Sequence, residues 1–228
     1  MKLSVIIPVY NERDTIARLV SRVLAAPFEK EVILVDDASS DGTDDQLREA
    51  ARLHPEIRVF FHDRNRGKGA ALRTGFSAAK GDVFLTQDGD LEYNPQEYAQ
   101  LLEPILAGRT QIVYGSRFLG NSNRRFLFWH AFGNRFLTWA CNLLYGLNLT
   151  DMETGYKVFT RQVLDKMTLC LNRFGFDPEF TAKAAKLRLR ICEVPIGYKS
   201  RDYSAGKKIR WKDGVLILAA LLRFRLLN

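Results

Sequence analysis

DVFLTQDGDLEY, residues 82–93, decides the fold. Its first half, Asp82 to Gln87, is an apolar run of strand length. Its second half places Asp88, Asp90 and Glu92 at alternate positions. On extended backbone, alternate side chains point to one side. The spacing therefore predicts three carboxylates together at the carboxyl end of a strand. Such oxygens suit a hard divalent cation, and a cation there would hold a diphosphate.

The flanking sequence supplies the rest of a sheet. Leu3 to Val9 (LSVIIPV) and Glu31 to Val35 (EVILV) are short runs rich in β-branched residues, read as buried strands. Ile57 to Phe61 and Gln111 to Tyr114 extend the series. Between them lie helical patterns: Ile16, Leu19, Val20, Val23 and Leu24; about Asp44 to Leu53, after the turn Asp41-Gly42-Thr43; Gly69 to Ala79; and a helix opened by Pro95. This alternation predicts an α/β fold, a mostly parallel sheet covered by helices on both faces. Ligands of such sheets bind beyond the carboxyl ends of the strands. Asn11-Glu12, Asp36-Asp37 and Asp88-Gly89-Asp90 all fall there. Asp also favours turns and caps, a second use open to Asp36 and Asp37, and Pro8 also serves to limit a strand. Gly67-Lys68-Gly69 hints at a phosphate cradle, but the full P-loop pattern is absent, and the glycines suit a helix start.

The second half is less regular. Phe126 to Tyr145 is aromatic and amphipathic, with Trp129, Phe132, Phe136, Trp139, Ala140, Leu143 and Leu144 on one stripe and Asn134, Arg135, Thr138 and Asn142 off it. It reads as an interfacial helix or as one packed on the sheet. Residues 178–187 read as a helix and 190–198 as a strand. The tail from Lys207 runs basic, apolar, basic.

Of the 228 residues, 46% are hydrophobic, enough for a sizeable core. The formal charge of +8 is uneven: residues 1–110 carry 14 Lys and Arg against 18 Asp and Glu, and residues 111–228 carry 20 against 8. A basic half implies an anionic partner: a membrane surface, a phosphate or a nucleic acid. Its aromatics follow helical spacing rather than a basic strand platform, which argues against nucleic acid. No G-x-G-x-x-G follows the first strand, which argues against a dinucleotide oxidoreductase. Cys141, Cys170 and Cys192 lack paired spacing and read as reduced thiols of a cytosolic protein. His54, His62 and His130 lack paired metal spacing. Met1 to Val9 reads as a strand rather than a signal peptide, and no run reaches the roughly 18–20 apolar residues of a spanning helix.

VIIPVYNE (5–12), LVDDASSDGT (34–43), NRGKGAALRTG (65–75), QDGDLEY (87–93), YGSRF (114–118), TDMETGYKVF (150–159) and RDYSAGKK (201–208) follow one another in an order that resembles family 2 glycosyltransferases of the GT-A fold, in the dolichyl-phosphate mannose synthase-like branch. The resemblance covers nearly the whole chain. It implies one Rossmann-like catalytic domain over 1–228, with a nucleotide-sugar half (1–116), an acceptor half (117–200) carrying the amphipathic helix 126–145, and a basic and apolar tail (201–228) at the membrane surface. It further implies a nucleotide-diphosphate sugar donor (GDP-mannose or UDP-glucose), Mg2+ or Mn2+, a polyprenyl phosphate acceptor, and peripheral attachment at the cytoplasmic membrane face, with or without a separate membrane subunit. Residue by residue, Pro8, Tyr10, Glu12, Val35 and Asp37 would border the base and ribose. Asp88, Gly89 and Asp90 would face the nucleotide, with Asp88, Asp90 and Glu92 around the metal. Arg117, Arg201 and Lys207 would meet phosphates or sugar. Asp90, Asp151 and Arg117 would be the catalytic residues, with Asp151 orienting the acceptor or assisting proton transfer, or else serving structure. Glu92 departs from the Gln frequent in mannose synthases, and His130-Ala131-Phe132 lacks a basic pair, for which Arg124, Arg125 and Arg135 are the nearest substitutes. A soluble transferase acting on a polysaccharide or protein, and a non-catalytic nucleotide-sugar sensor, are the competing readings.

Overall fold

A computed structural model describes residues 1–119, 124–125, 128–199 and 211–226. The first half alternates as the sequence predicts: β1 (Leu3–Val9), α1 (Ile16–Leu24), β2 (Lys30–Asp36), α2 (Thr43–Leu53), β3 (Ile57–Phe61), α3 (Lys68–Ala78), β4 (Val83–Thr86), α4 (Tyr98–Leu106) and β5 (Ile112–Ser116). Beyond it come the short β6 (Arg124–Arg125), α5 (Phe128–Tyr145), β7 (Lys157–Thr160), α6 (Arg161–Asp165), α7 (Phe176–Lys186), β8 (Ile191–Pro195), β9 (Tyr198–Lys199) and α8 (Trp211–Leu226).

Seven strands form one sheet in the order β3-β2-β1-β4-β7-β5-β8. Only β7 runs against the others, between β4 and β5. It overlaps the end of the TDMETGYKVF stretch, and its four residues give too short a run to announce a strand. One face of the sheet packs Leu3, Val5, Ile7 and Val9 against α1, α2 and α4. The other packs Ile6, Ile33 and Val35 against α3 and α7. Both faces are covered, as expected.

The end of β4 departs from expectation. Pairing with β1 closes on a bond from Gln87 N–H to the Ile6 carbonyl. The next bond would need an N–H from residue 8, which is proline and has none. The ladder stops, and residues 88–92 turn instead of continuing extended. Asp90 fixes that turn, its Oδ1 accepting from Glu92 N–H at 3.1 Å. The alternation argument for Asp88, Asp90 and Glu92 therefore fails, although the carboxylates do stand at the strand end.

Helix α5 turns the aromatic part of its stripe outward, while Ala140 and Leu144 of the same stripe pack inward. Phe132, Phe136, Trp139 and Leu143 are 49–70% exposed. Its polar residues face inward: Asn134 donates to Asp151, the Thr138 hydroxyl accepts from Met152 N–H, and Asn142 binds both backbone groups of Leu149. Cys141 packs with Met152 and with Ile217 and Leu221 of α8. On α8, Val215, Leu216, Leu222 and Leu226 are exposed. Among the described residues, no helix is long and apolar enough to cross a membrane.

Candidate active site

The carboxyl ends of β1, β2 and β4 meet at one edge of the sheet. Gly89 lies so close to β1 that a Cβ there would stand 3.1 Å from the Pro8 carbonyl oxygen and 3.5 Å from Glu12 Cγ. Glu12 is buried, its Oε2 accepting from the Thr15 hydroxyl at 2.7 Å and its N–H donating to Thr43 Oγ1. Loops β1–α1 and β2–α2 are stitched together: Asn11 N–H donates to Ser39 Oγ, and Ser40 N–H donates to Asn11 Oδ1, both at 2.9 Å. Asp36 accepts from the Ser39 hydroxyl and N–H. This crossing places Asn11 and Ala38 at φ +50° and +63°, left-handed backbone that costs an alanine about 1–2 kcal/mol.

Asp37 is buried and fully engaged by the protein. Its Oδ1 accepts from Arg66 N–H at 2.9 Å and meets His62 Nδ1 at 2.7 Å, and its Oδ2 accepts from Gly67 N–H at 2.6 Å. The His62 ring reaches on to the Thr74 hydroxyl. Asp37 thus fixes the segment that starts α3 and acts on the site through Lys68, the first residue of that helix. The Val35 side chain is fully buried under α3, 3.5 Å from where a Gly75 Cβ would stand, so it packs the core and leaves its backbone as the part that could border a nucleotide. The two glycines of Gly67-Lys68-Gly69 are required by packing. A Cβ on Gly67 would collide with Arg173, and one on Gly69 with the Leu171 carbonyl.

Lys68 Nζ sits 2.5 Å from Asp88 Oδ1. Burial alone would lower its pKa. Asp88, Asp177 and Asp90 outweigh that and hold the amine above the usual lysine range. A cationic group thus already stands against the Asp88 carboxylate, a fit for positive charge at that place. Asp88 and Asp90 offer oxygen donors only, the set that Mg2+ or Mn2+ takes, and Mg2+ is commonly held by one or two carboxylates plus substrate phosphates. Glu92 does not join them. Its Oε2 accepts from the Tyr198 hydroxyl at 2.7 Å, and among the described residues no three His, Cys, Asp or Glu side chains gather as a metal site.

Opposite these groups, Arg117 grips Asp151 in a fork: Nε to Oδ2 at 2.7 Å and Nη2 to Oδ1 at 2.8 Å, with Arg117 N–H also donating to Oδ2. Asp151 is fully buried and Arg117 nearly so. The guanidinium lies over the Tyr198 ring, 5.1 Å from its centre. Glu193 holds the loop by accepting from Thr150 and Asp151 N–H. A second buried pair joins Lys157 and Asp177. Burial, and then Asp177, pushes the Glu153 carboxyl up to about 8, against the pull of Lys157 and Arg117, with Asp151 adding to the rise.

The sequence reading found Asp88, Gly89, Asp90, Glu12, Arg117 and Asp151 at this edge, and Pro8 and Tyr10 beside it. Arg201 and Lys207 lie outside the described residues. The sequence reading did not single out Glu153, Lys157, Asp177 and Tyr198, and it touched Lys68 only within the Gly67-Lys68-Gly69 hint. Lys68 carried a signal, standing between two glycines at a helix start. Asp177 and Tyr198 carried none, because only the folded chain brings them to the site.

Residues 4–168 match the family described as Glycosyl transferase family 2. The chain is similar to an undecaprenyl-phosphate mannosyltransferase of Micrococcus luteus, 31% identical over 91% of this chain and 87% of that protein. It is also 31% identical, over 90% of its length, to an undecaprenyl-phosphate 4-deoxy-4-formamido-L-arabinose transferase of Aeromonas hydrophila, and spans 62% of that relative's length. Among solved structures, the fold matches glucosyl-3-phosphoglycerate synthase from Mycobacterium tuberculosis in complex with UDP, with a TM-score of 0.77 at 20% identity over 100% of this chain and 81% of that one. Another structure of that synthase holds Mn2+, UDP-glucose and phosphoglyceric acid. The chain belongs to glycosyl transferase family 2.

Proposed function

We propose that this protein transfers a hexose, mannose in preference to glucose, from a nucleotide-diphosphate sugar to a polyprenyl phosphate at the cytoplasmic face of a membrane. The observation that carries the reading is the meeting at one sheet edge of Asp88, Asp90 and Lys68 with the Arg117–Asp151 fork. The first group suits a cation-bridged diphosphate, the second an anionic acceptor. Support for the acceptor comes from the two relatives, whose sugars differ while undecaprenyl phosphate is common to both names. The exposed apolar faces of α5 and α8 support a peripheral place on the bilayer.

Asp88 and Asp90 would hold Mg2+ or Mn2+, which when bound stabilises the negative charge of a departing nucleoside diphosphate. The rest falls to the protein. Lys68 brings an ammonium to the same charge. Pro8, Tyr10 and Glu12 border the nucleotide, and Asp37 holds the segment that carries Lys68. Arg201 and Lys207 meet the leaving phosphates. A phosphate monoester acceptor, with a second pKa of ~6, is already ionised at pH 7 and needs positioning more than deprotonation. Arg117 provides the cationic side of that position, and Asp151 fixes its fork.

The test is sugar transfer to a polyprenyl phosphate in mixed micelles, with GDP-mannose and UDP-glucose as donors and Mg2+ or Mn2+ present. Lipid-linked product from one donor is expected, falling about 10²- to 10³-fold in Asp90→Ala, the cost of removing one electrostatic group from a transition state. Transfer to water-soluble acceptors alone overturns the lipid acceptor, and donor binding without turnover on any acceptor overturns the enzyme.

A further inference from the structure

Glu153 has no job in the scheme above, yet it stands among the most heavily charged groups of the molecule. It sits on the loop before β7, two residues after Asp151. Its Oε1 is buried and has no hydrogen-bond partner among the described residues. A carboxyl oxygen left so is costly unless a ligand or an ordered water completes it. The ionisable groups that act on it most strongly come from several elements: Asp177 on α7, Lys157 on β7, Arg117 after β5, Asp151 on its own loop and Cys141 on α5. Cys141 offers no charge in the neutral range, because burial, then Glu153, pushes its thiol up to about 12.

The charges around Glu153 are already matched. Arg117 is claimed by Asp151, and Lys157 by Asp177. A third carboxylate would leave one buried negative charge without a partner, which a protein interior disfavours. A carboxylic acid leaves none, and it has an O–H to give.

We propose that Glu153 is a specificity-determining residue for the acceptor, its carboxylic acid giving a hydrogen bond to the acceptor's phosphate beside the Arg117 guanidinium. The proposal rests on the polyprenyl phosphate reading above. The proton stays on Glu153 and none is transferred. Ionisation of Glu153 replaces a donor by a negative charge facing an anion. Affinity for a phosphate acceptor must then fall as pH rises through about 8. A hydroxyl acceptor has the opposite sign, since it needs the ionised carboxylate to receive its proton.

The experiment measures kcat and KM for polyprenyl phosphate at saturating donor between pH 7 and pH 9.5, for the unsubstituted protein, Glu153→Gln and Glu153→Ala. The acceptor's own second ionisation, with a pKa of ~6, is already about nine-tenths complete at pH 7 and changes little across this range. The acceptor KM of the unsubstituted protein should rise about tenfold or more, while kcat and the donor KM hold. Glu153→Gln keeps a neutral N–H donor of similar shape, so its acceptor KM should stay low and flat. Glu153→Ala should start roughly ten- to a hundredfold higher and also stay flat, the range expected for losing one hydrogen bond to a charged group. Circular dichroism melts confirm that each variant is folded. If the unsubstituted protein and Glu153→Gln rise in parallel, Glu153 is not the group and this proposal alone falls. If activity rises through pH 8 and Glu153→Gln abolishes it, Glu153 is a base for a hydroxyl acceptor. No transfer to polyprenyl phosphate at any pH overturns the underlying function instead.

Discussion

The half of the chain up to residue 116 and the half from Arg117 hold most of their buried and loop carboxylates differently, with Asp88 on Lys68 in the first and Glu193 on backbone N–H groups in the second as exceptions. In the first, strand-end and loop acids are tied to neighbouring backbone and hydroxyls: Asp36 to Ser39, Asp37 to Arg66 and Gly67, Asp41 to Thr43. In the second they are tied to other charges inside the protein: Asp151 to Arg117, Asp177 to Lys157, Glu179 to Lys183. A loop carboxylate lost removes hydrogen bonds that water can partly replace. A buried ion pair broken strands a charge. The first half should therefore fail in chemistry before it fails in folding, and the second the other way round.

The largest expected effect tests that contrast directly. Asp151→Ala leaves Arg117, 8% exposed, without its fork partner. It should cost about 3–5 kcal/mol of stability, read by urea unfolding. Removing both charges, as Arg117→Met with Asp151→Ala, should recover much of this loss while leaving transfer inactive. If the single variant unfolds like the parent, the pair is not the structural brace that its burial implies. Asp36→Asn, in the other half, should cost far less in the same assay.

The difference also explains what the sequence could tell. Strands β1 to β5 announce themselves as apolar runs, and their ends carry acids in short local motifs, so the edge of the sheet was legible. The α5 stripe was legible as a pattern but not as a direction. Periodicity says that Phe132, Phe136, Trp139 and Leu143 share a face, and not that Asn134 and Thr138 face the protein. Strand β7 was hidden because its place between β4 and β5 comes from long-range pairing of four residues. The inward direction of the Val35 side chain was equally hidden, because a motif position does not reveal which face of its strand a side chain takes. The pairing of Lys157 with Asp177 left no mark in the sequence, since nothing there brings α7 against β7.

A second prediction sharpens the comparison through pH. The Glu153 carboxyl stands at about 8 in the folded protein against an ordinary 4.5. Between those values the unfolded chain loses its proton and the folded chain keeps it, so the residue lowers stability progressively as pH rises from 4.5 to 8. Glu153→Gln removes that dependence. Its melting temperature should match the parent near pH 4, rise above it through neutral pH, and hold a constant gain beyond pH 8. An equal offset at every pH would place the effect in packing rather than ionisation.

Smaller again is the contribution of the exposed face of α5. Phe136 and Trp139 lie 6.0 Å apart, stacked, and outward. Replacing both by Ser should leave the melting temperature nearly unchanged, since neither supports the core. Flotation with anionic liposomes should weaken by about tenfold or more, the scale of one or two large apolar side chains withdrawn from the interface. High salt should weaken flotation further by screening the basic residues. A loss of stability equal to the loss of flotation would make this face part of the fold instead.

The smallest effect belongs to the first half and concerns backbone alone. Ala38 follows the acids at the end of β2 with φ +63°. The position is held because Ser39 must turn back to meet Asp36 and Asn11 together. A left-handed alanine costs about 1–2 kcal/mol, and glycine relieves it while adding about 0.4–1 kcal/mol of unfolded-state entropy. Ala38→Gly should therefore gain about 0.5–1 kcal/mol in urea unfolding. Strained backbone of this kind persists only where its surroundings over-determine it, and here the determinants are the bonds that join two strand ends at the site. If glycine stabilises the fold but raises the donor KM, the strain serves to hold the nucleotide edge. If it stabilises with the donor KM unchanged, Asp36 and Ser39 alone suffice to set that edge.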